Sequence, residues 1–92
     1  MKIPIYYEVI RVDYDDCTDE ETTSLIGRYK YKSRALKEFR TMRNLNKKWI
    51  DKEGWNIAID KDDMFEAESC NYQEWMNIQL NKMGGEVISE ER

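Results

Sequence analysis

The side chains here that could do chemistry are nearly all carboxylates and cations, and they are sorted by position. Six acids fall within nine residues at Asp13, Asp15, Asp16, Asp19, Glu20 and Glu21. Five more follow at Asp60, Asp62, Asp63, Glu66 and Glu68. Between Arg28 and Lys52 the chain carries ten basic residues and two acidic ones, against five basic and seventeen acidic elsewhere. The net charge of −4 therefore hides a basic middle in an acidic chain. Such asymmetry bears on partners and association rates, not on fold.

Catalysis has little to work with. There is no histidine, so the side chain best suited to proton transfer near neutral pH is missing. The pairs Asp15–Asp16 and Asp62–Asp63 could be arranged as acid and base, but adjacent aspartates are also the ordinary residues of solvated turns. Cys17 is a poor nucleophile, because the acids around it disfavour the thiolate. Cys17 and Cys70 stand far apart with no histidine to help, so no zinc site is expected. Neither acidic run has the Gly and Glu placement of an EF-hand loop. The expectation is a non-enzymatic protein without metal or cofactor.

Two opposite binding surfaces remain. The eleven clustered carboxylates, if they converge, present a spaced negative field like that of a nucleic-acid backbone. Such a surface is steered by charge to a basic groove on another protein. The alternative is nucleic-acid binding by Arg28, Lys30 and Lys32, interleaved with Tyr29 and Tyr31, and by Arg40, Arg43 and Lys47. Phosphates attract such cations, and tyrosines on a sheet stack bases. The plainer readings are solvated loops that keep the chain in solution, and tyrosines that belong to the core because they share a strand face with Leu25.

The elements that must position these groups are legible from hydrophobic spacing. Leu36, Phe39, Met42, Leu45 and Trp49, with Ala35 and Ile50 beside them, recur at three or four and predict a helix over Arg34–Lys52. Ser33 is its expected N-cap and Gly54 its expected stop. Ile3–Tyr14 and Ser24–Tyr31 read as strands of a hairpin, with Asp13–Glu21 as a solvated loop at its tip. Both alternation sets of the first strand are partly apolar, so either it is covered on both faces at its start or a bulge switches the face midway. Leu25, Tyr29 and Tyr31 share one face of the second strand. Trp55–Asp60 and Met64–Ser69 read as two further strands. The stretch 72–83 reads as a short helix, from Tyr72, Trp75, Met76, Leu80 and Met83 on one side and an Asn71–Glu74 capping pair. A strand, from the alternation of Met76, Ile78 and Leu80, is its alternative.

Together these predict one α+β domain over residues 1–92. An antiparallel sheet in the order ββαββ, with that final short helix, packs on one long amphipathic helix, and residues 86–92 form a frayed tail. No apolar run is long enough to span a bilayer, and the start shows no secretory cleavage pattern, so a cytoplasmic protein without membrane contact is expected. Homodimerisation through the sheet face that one helix leaves uncovered is a third partner reading.

The order of parts also carries a resemblance. A start Met1-Lys2-Ile3, a strand and an acidic loop are followed by a Gly27-Arg28-Tyr29 strand leading into Ser33-Arg34-Ala35-Leu36-Lys37, and then by Trp55-Asn56-Ile57. This arrangement, over most of the chain, resembles small α+β proteins of bacteriophages and mobile elements. The resemblance implies an inhibitor or regulator that binds a host nucleic-acid-handling or defence protein. It carries over no functional residue.

Overall fold

β1 (Tyr6–Asp15) and β2 (Glu20–Tyr29) form a hairpin, α1 (Lys32–Glu53) follows, and β3 (Asn56–Asp60), β4 (Met64–Glu68) and β5 (Glu74–Met83) complete the chain. The computed structural model describes residues 4–69, 71 and 73–84. The five strands make one antiparallel sheet in the order β2-β1-β5-β4-β3, with α1 against one of its faces. The expected α+β architecture is observed. The tail 86–92, Cys70, Tyr72 and the start Met1-Lys2-Ile3 fall outside the described residues.

The final element differs from the leading expectation. Glu74–Met83 is a strand, not a helix, and it is the middle strand of the sheet. It pairs with β1 from Glu74 to Met83 along one edge and with β4 along the other. Alternation then sends Met76, Ile78 and Leu80 into the core under α1, and two neighbouring strands have their open hydrogen-bonding edges satisfied. That long-range pairing outweighs the local helical spacing. Asn71 caps no helix. Its side-chain oxygen accepts from the Ser69 hydroxyl at 2.6 Å and from the Gln73 amide at 3.1 Å, closing the β4–β5 turn.

The acidic loop is also shorter than expected. Only 16–19 turn; Asp13 and Asp15 lie in β1, and Glu20 and Glu21 in β2. Asp19 takes a left-handed φ of 53°, a conformation that aspartate tolerates better than most residues.

α1 begins before its expected cap. Ser33 sits within the first turn, and the N-cap is Tyr31, which offers no side-chain hydrogen bond. Its carbonyl instead accepts from the amides of Arg34 and Ala35, both at 3.2 Å. Only Lys30 and Tyr31 separate β2 from α1, so the chain must turn at once to lay Ala35 and Phe39 on the sheet. The far end is as expected: Gly54 has φ 76°, and its amide donates to the Ile50 carbonyl.

The core lies between α1 and the sheet and is built from Val9, Ala35, Phe39, Ile50, Phe65, Ala67, Met76, Ile78 and Leu80. Each fully buried large side chain contributes roughly 1.5–3 kcal/mol from its removal from water. Leu45, expected in the helix stripe, is 54% exposed, while Asn46 beside it is only 4% exposed.

A bulge decides which faces β2 presents. Val9 pairs with Gly27 and Ile10 with Leu25, so Ile26 is the extra residue. The face switches there. Ile26 and Tyr29 pack on the core, whereas Leu25, expected on the same face as Tyr29, is 50% exposed on the opposite side. β1 alternates without a break. Tyr7, Val9, Arg11 and Asp13 share the helix side, and Ile10, Val12 and Tyr14 share the other.

Candidate functional site

At the hairpin end of the sheet, on the helix side, three carboxylates stand in one cross-strand row. Asp15 faces Glu20 on β2 and Glu74 on β5. Residues directly opposite in an antiparallel pair have Cβ atoms only about 4.5–5.5 Å apart, where like charges destabilise the sheet. Among the described residues no Lys or Arg is ion-paired with any of the three. With Asp13, Thr22 and Trp55, and with Tyr14 and Trp75 from the other face, they line a cleft of about 170 Å³ at the end of the sheet.

The side of this cleft toward the helix is held by a polar network. Arg11 grips Asp13 through Nε to Oδ2 at 2.9 Å and Nη2 to Oδ1 at 3.0 Å. Its Nη1 donates to Asn46 Oδ1 at 3.0 Å, and Trp49 Nε1 donates to the same oxygen at 2.8 Å. Asn46 Nδ2 donates to the Met42 carbonyl at 2.7 Å. Trp49 then meets Trp55 edge to face with ring centres 4.9 Å apart, which fixes the aromatic wall. Asp13 is thus already compensated by Arg11, whereas Asp15, whose Oδ1 accepts from the Cys17 amide at 2.9 Å, and Glu20 and Glu74 have no cation beside them among the described residues. Among the described residues no three carboxylates converge closely enough to hold a metal ion.

Asp16 and Asp19 serve the turn. Both accept from the Tyr14 hydroxyl, at 3.2 Å and 3.0 Å. The Asp19 hydrogen bond, then burial and the Asp16 bond, push the Tyr14 phenol up to about 12. Glu21 points to the opposite face with Tyr14, its cross-strand partner.

The second acidic run is drawn to the basic helix. Asp60 lies 2.7 Å from Lys47 and 3.8 Å from Arg43, and Asp62 lies 3.6 Å from Arg40 and 3.8 Å from Arg43. Two surfaces read separately in the sequence, one acidic and one basic, therefore meet and partly neutralise each other. Arg28 pairs with Glu8 at 2.7 Å, and this bond raises the guanidinium pKa further. Of the six cations read as a nucleic-acid surface, only Lys30 and Lys32 have no ion-pair partner among the described residues. The Asp63 carbonyl accepts from the Leu80 amide at 2.9 Å. Glu66 accepts from Asn77 at 3.0 Å, and Glu68 lies opposite Trp75 on the face away from α1. From the strand order and register, Asp15 and Asp60 are roughly 20 Å apart, so the two acidic runs do not converge.

Arg11, Asn46, Trp55 and Glu74 were not legible as site residues. Asn46 alone left a signal, a polar residue at helical spacing from Phe39, Met42, Trp49 and Ile50. Glu74 left none while its segment read as helix.

No family model matches this chain, and no curated protein or solved structure shows significant similarity to it. Among the described residues no helix is long and apolar enough to cross a membrane.

Proposed function

We propose that this protein is a non-enzymatic interaction module that takes an arginine side chain of a basic partner protein between Asp15, Glu20 and Glu74. The observation that carries this reading is the uncompensated row of three carboxylates on neighbouring strands. The row costs the free fold stability, and a cation from outside relieves that cost. A guanidinium fits the task. It is planar, carries five donors, grips carboxylates in pairs and stacks on an aromatic face such as Trp55. Asp60 and Asp62 are engaged by α1, so the surface centres on Asp15, Glu20 and Glu74 rather than on both acidic runs. A basic groove that normally holds nucleic acid is the kind of partner surface this charge suits, and occupying it would inhibit or regulate that partner.

The test is calorimetric titration with an arginine-rich peptide and a lysine-rich peptide of equal charge. The arginine peptide should bind more tightly, and binding should weaken with salt. The double variant Asp15→Asn/Glu74→Gln should weaken it at least about tenfold, as expected for losing charge-assisted bonds, while Asp62→Asn/Asp63→Asn should leave it unchanged. Equal affinity for wild type and the cleft variant overturns the reading. Binding of a single-stranded oligonucleotide that Lys30→Glu/Lys32→Glu abolishes would instead favour the nucleic-acid alternative.

A further inference from the structure

Among the described residues nothing covers the sheet face opposite α1, and beside polar Asn77, Gln79 and Glu66 it carries a set of apolar and aromatic side chains that an exposed sheet face does not need. Ile10, Val12, Leu25 and the stacked pair Tyr14–Trp75, with ring centres 5.5 Å apart, lie on it. Val12 is buried without belonging to the core under the helix. This explains why both alternation sets of β1 are partly apolar.

Glu8, Glu66 and Glu68 also lie on this face, with Glu8 paired to Arg28, and the charges left at the two ends of β2, Glu21 and Lys30, are opposite. At one end Glu21 flanks Tyr14 and Trp75. At the other, Lys30 and Arg28 share a shallow depression with Tyr6, and Met83 lies opposite Tyr6. Tyr14 and Tyr6 are each four residues from Ile10, so Ile10 marks the midpoint of a pattern about 26 Å long.

We propose that this face is the interface of a two-fold homodimer whose strands run antiparallel across the interface, with the axis passing near Ile10. A two-fold axis in the interface plane and perpendicular to the strands sets the Glu21 end of one copy over the Lys30 end of the other. It also brings Tyr14 and Trp75 over Tyr6 and Met83 of the second copy and places Ile10 and Leu25 about their own symmetry mates. An axis parallel to the strands would put Lys30 near Lys30 and Glu21 near Glu21, so charge selects the first arrangement. Five strands about 4.8 Å apart and up to about 30 Å long give on the order of 600 Å² of face per copy. Two such faces bury roughly 1,200 Å², the lower end for a specific interface, so the dimer dissociates on dilution. The Asp15–Glu20–Glu74 row itself lies on the helix side of the sheet, away from this face.

Sedimentation velocity of the full chain from about 1 µM to about 0.5 mM tests this, a range that brackets a small interface. The sedimentation coefficient should rise with concentration from monomer to dimer. Glu21→Lys and Lys30→Glu should each weaken association roughly tenfold, because each substitution puts like charges at two symmetry-related contacts. Both together in one chain should restore it to within about twofold of wild type. A chain that stays monomeric throughout overturns the dimer. A dimer whose double variant is no stronger than the single variants overturns this arrangement. Both positions are exposed and outside the core, so circular dichroism should show an unchanged fold in every variant.

Discussion

Replacing Asn46 by alanine should destabilise the domain by about 2–3 kcal/mol, although it puts the best helix former into the middle of α1. Asn46 is almost fully buried, and its side chain makes three hydrogen bonds, to Arg11, Trp49 and Met42. Leaving the partly buried Trp49 indole N–H without its acceptor costs roughly 1 kcal/mol, and losing a hydrogen bond to a charged donor costs about 1.5–3 kcal/mol. Arg11 is partly exposed and recovers some of that from water, so the lower figures apply to it. The alanine returns about 0.5 kcal/mol of helix propensity. For a domain of this size the loss lowers Tm by roughly 10–20 °C. Urea unfolding followed by circular dichroism and by tryptophan fluorescence gives the free energy from two probes. A double-mutant cycle with Arg11→Met should return a coupling of about 1 kcal/mol or more. A loss under about 0.5 kcal/mol in Asn46→Ala, or no coupling in the cycle, would refute the view that this network joins α1 to β1.

Glu74→Gln should raise the urea midpoint at low salt, because it removes one like-charge contact with Asp15, and the gain should shrink at high salt; a lower midpoint would contradict the proposed frustration. Asp19→Asn should bring the Tyr14 phenol, now at about 12, back toward its ordinary 10.0, measured by tyrosinate absorbance during alkaline titration. The sign is that of a group whose folded pKa is raised: the Tyr14–Asp19 contact stabilises the fold in full below 10.0 and loses its effect as pH rises through about 12. Asp60→Asn/Asp62→Asn should release Arg40, Arg43 and Lys47 and increase retention on a polyanionic resin, with stability changed by no more than about 1 kcal/mol because the pairs are exposed or partly so. Unchanged retention would mean that those carboxylates do not neutralise the helix.

Hydrophobic spacing by itself determined a good deal of this protein. It placed α1 to within two residues, its glycine stop, the hairpin, and the β3 and β4 strands, because these depend on local periodicity and on the backbone freedom of Gly54. Composition also showed that the chain has no histidine and is dense in charged side chains sorted by position. Other features were decided only by tertiary structure. The 72–83 stretch suits helix and strand alike by local pattern, and it became β5 because β1 and β4 each had an edge to satisfy and α1 a core to cover. The extra residue Ile26 turned Leu25 away from the face of Tyr29, a reversal that depends on register with β1 and leaves no mark in composition. The charge runs read as independent surfaces because sequence distance hides spatial distance. Folding brought Asp60 and Asp62 onto the cations of α1 and set Glu74 beside Asp15, fifty-nine residues earlier in the chain. Coulomb interactions depend on where the backbone puts each charge, so which carboxylates are ion-paired and which are not was decided by strand order and by the placement of α1.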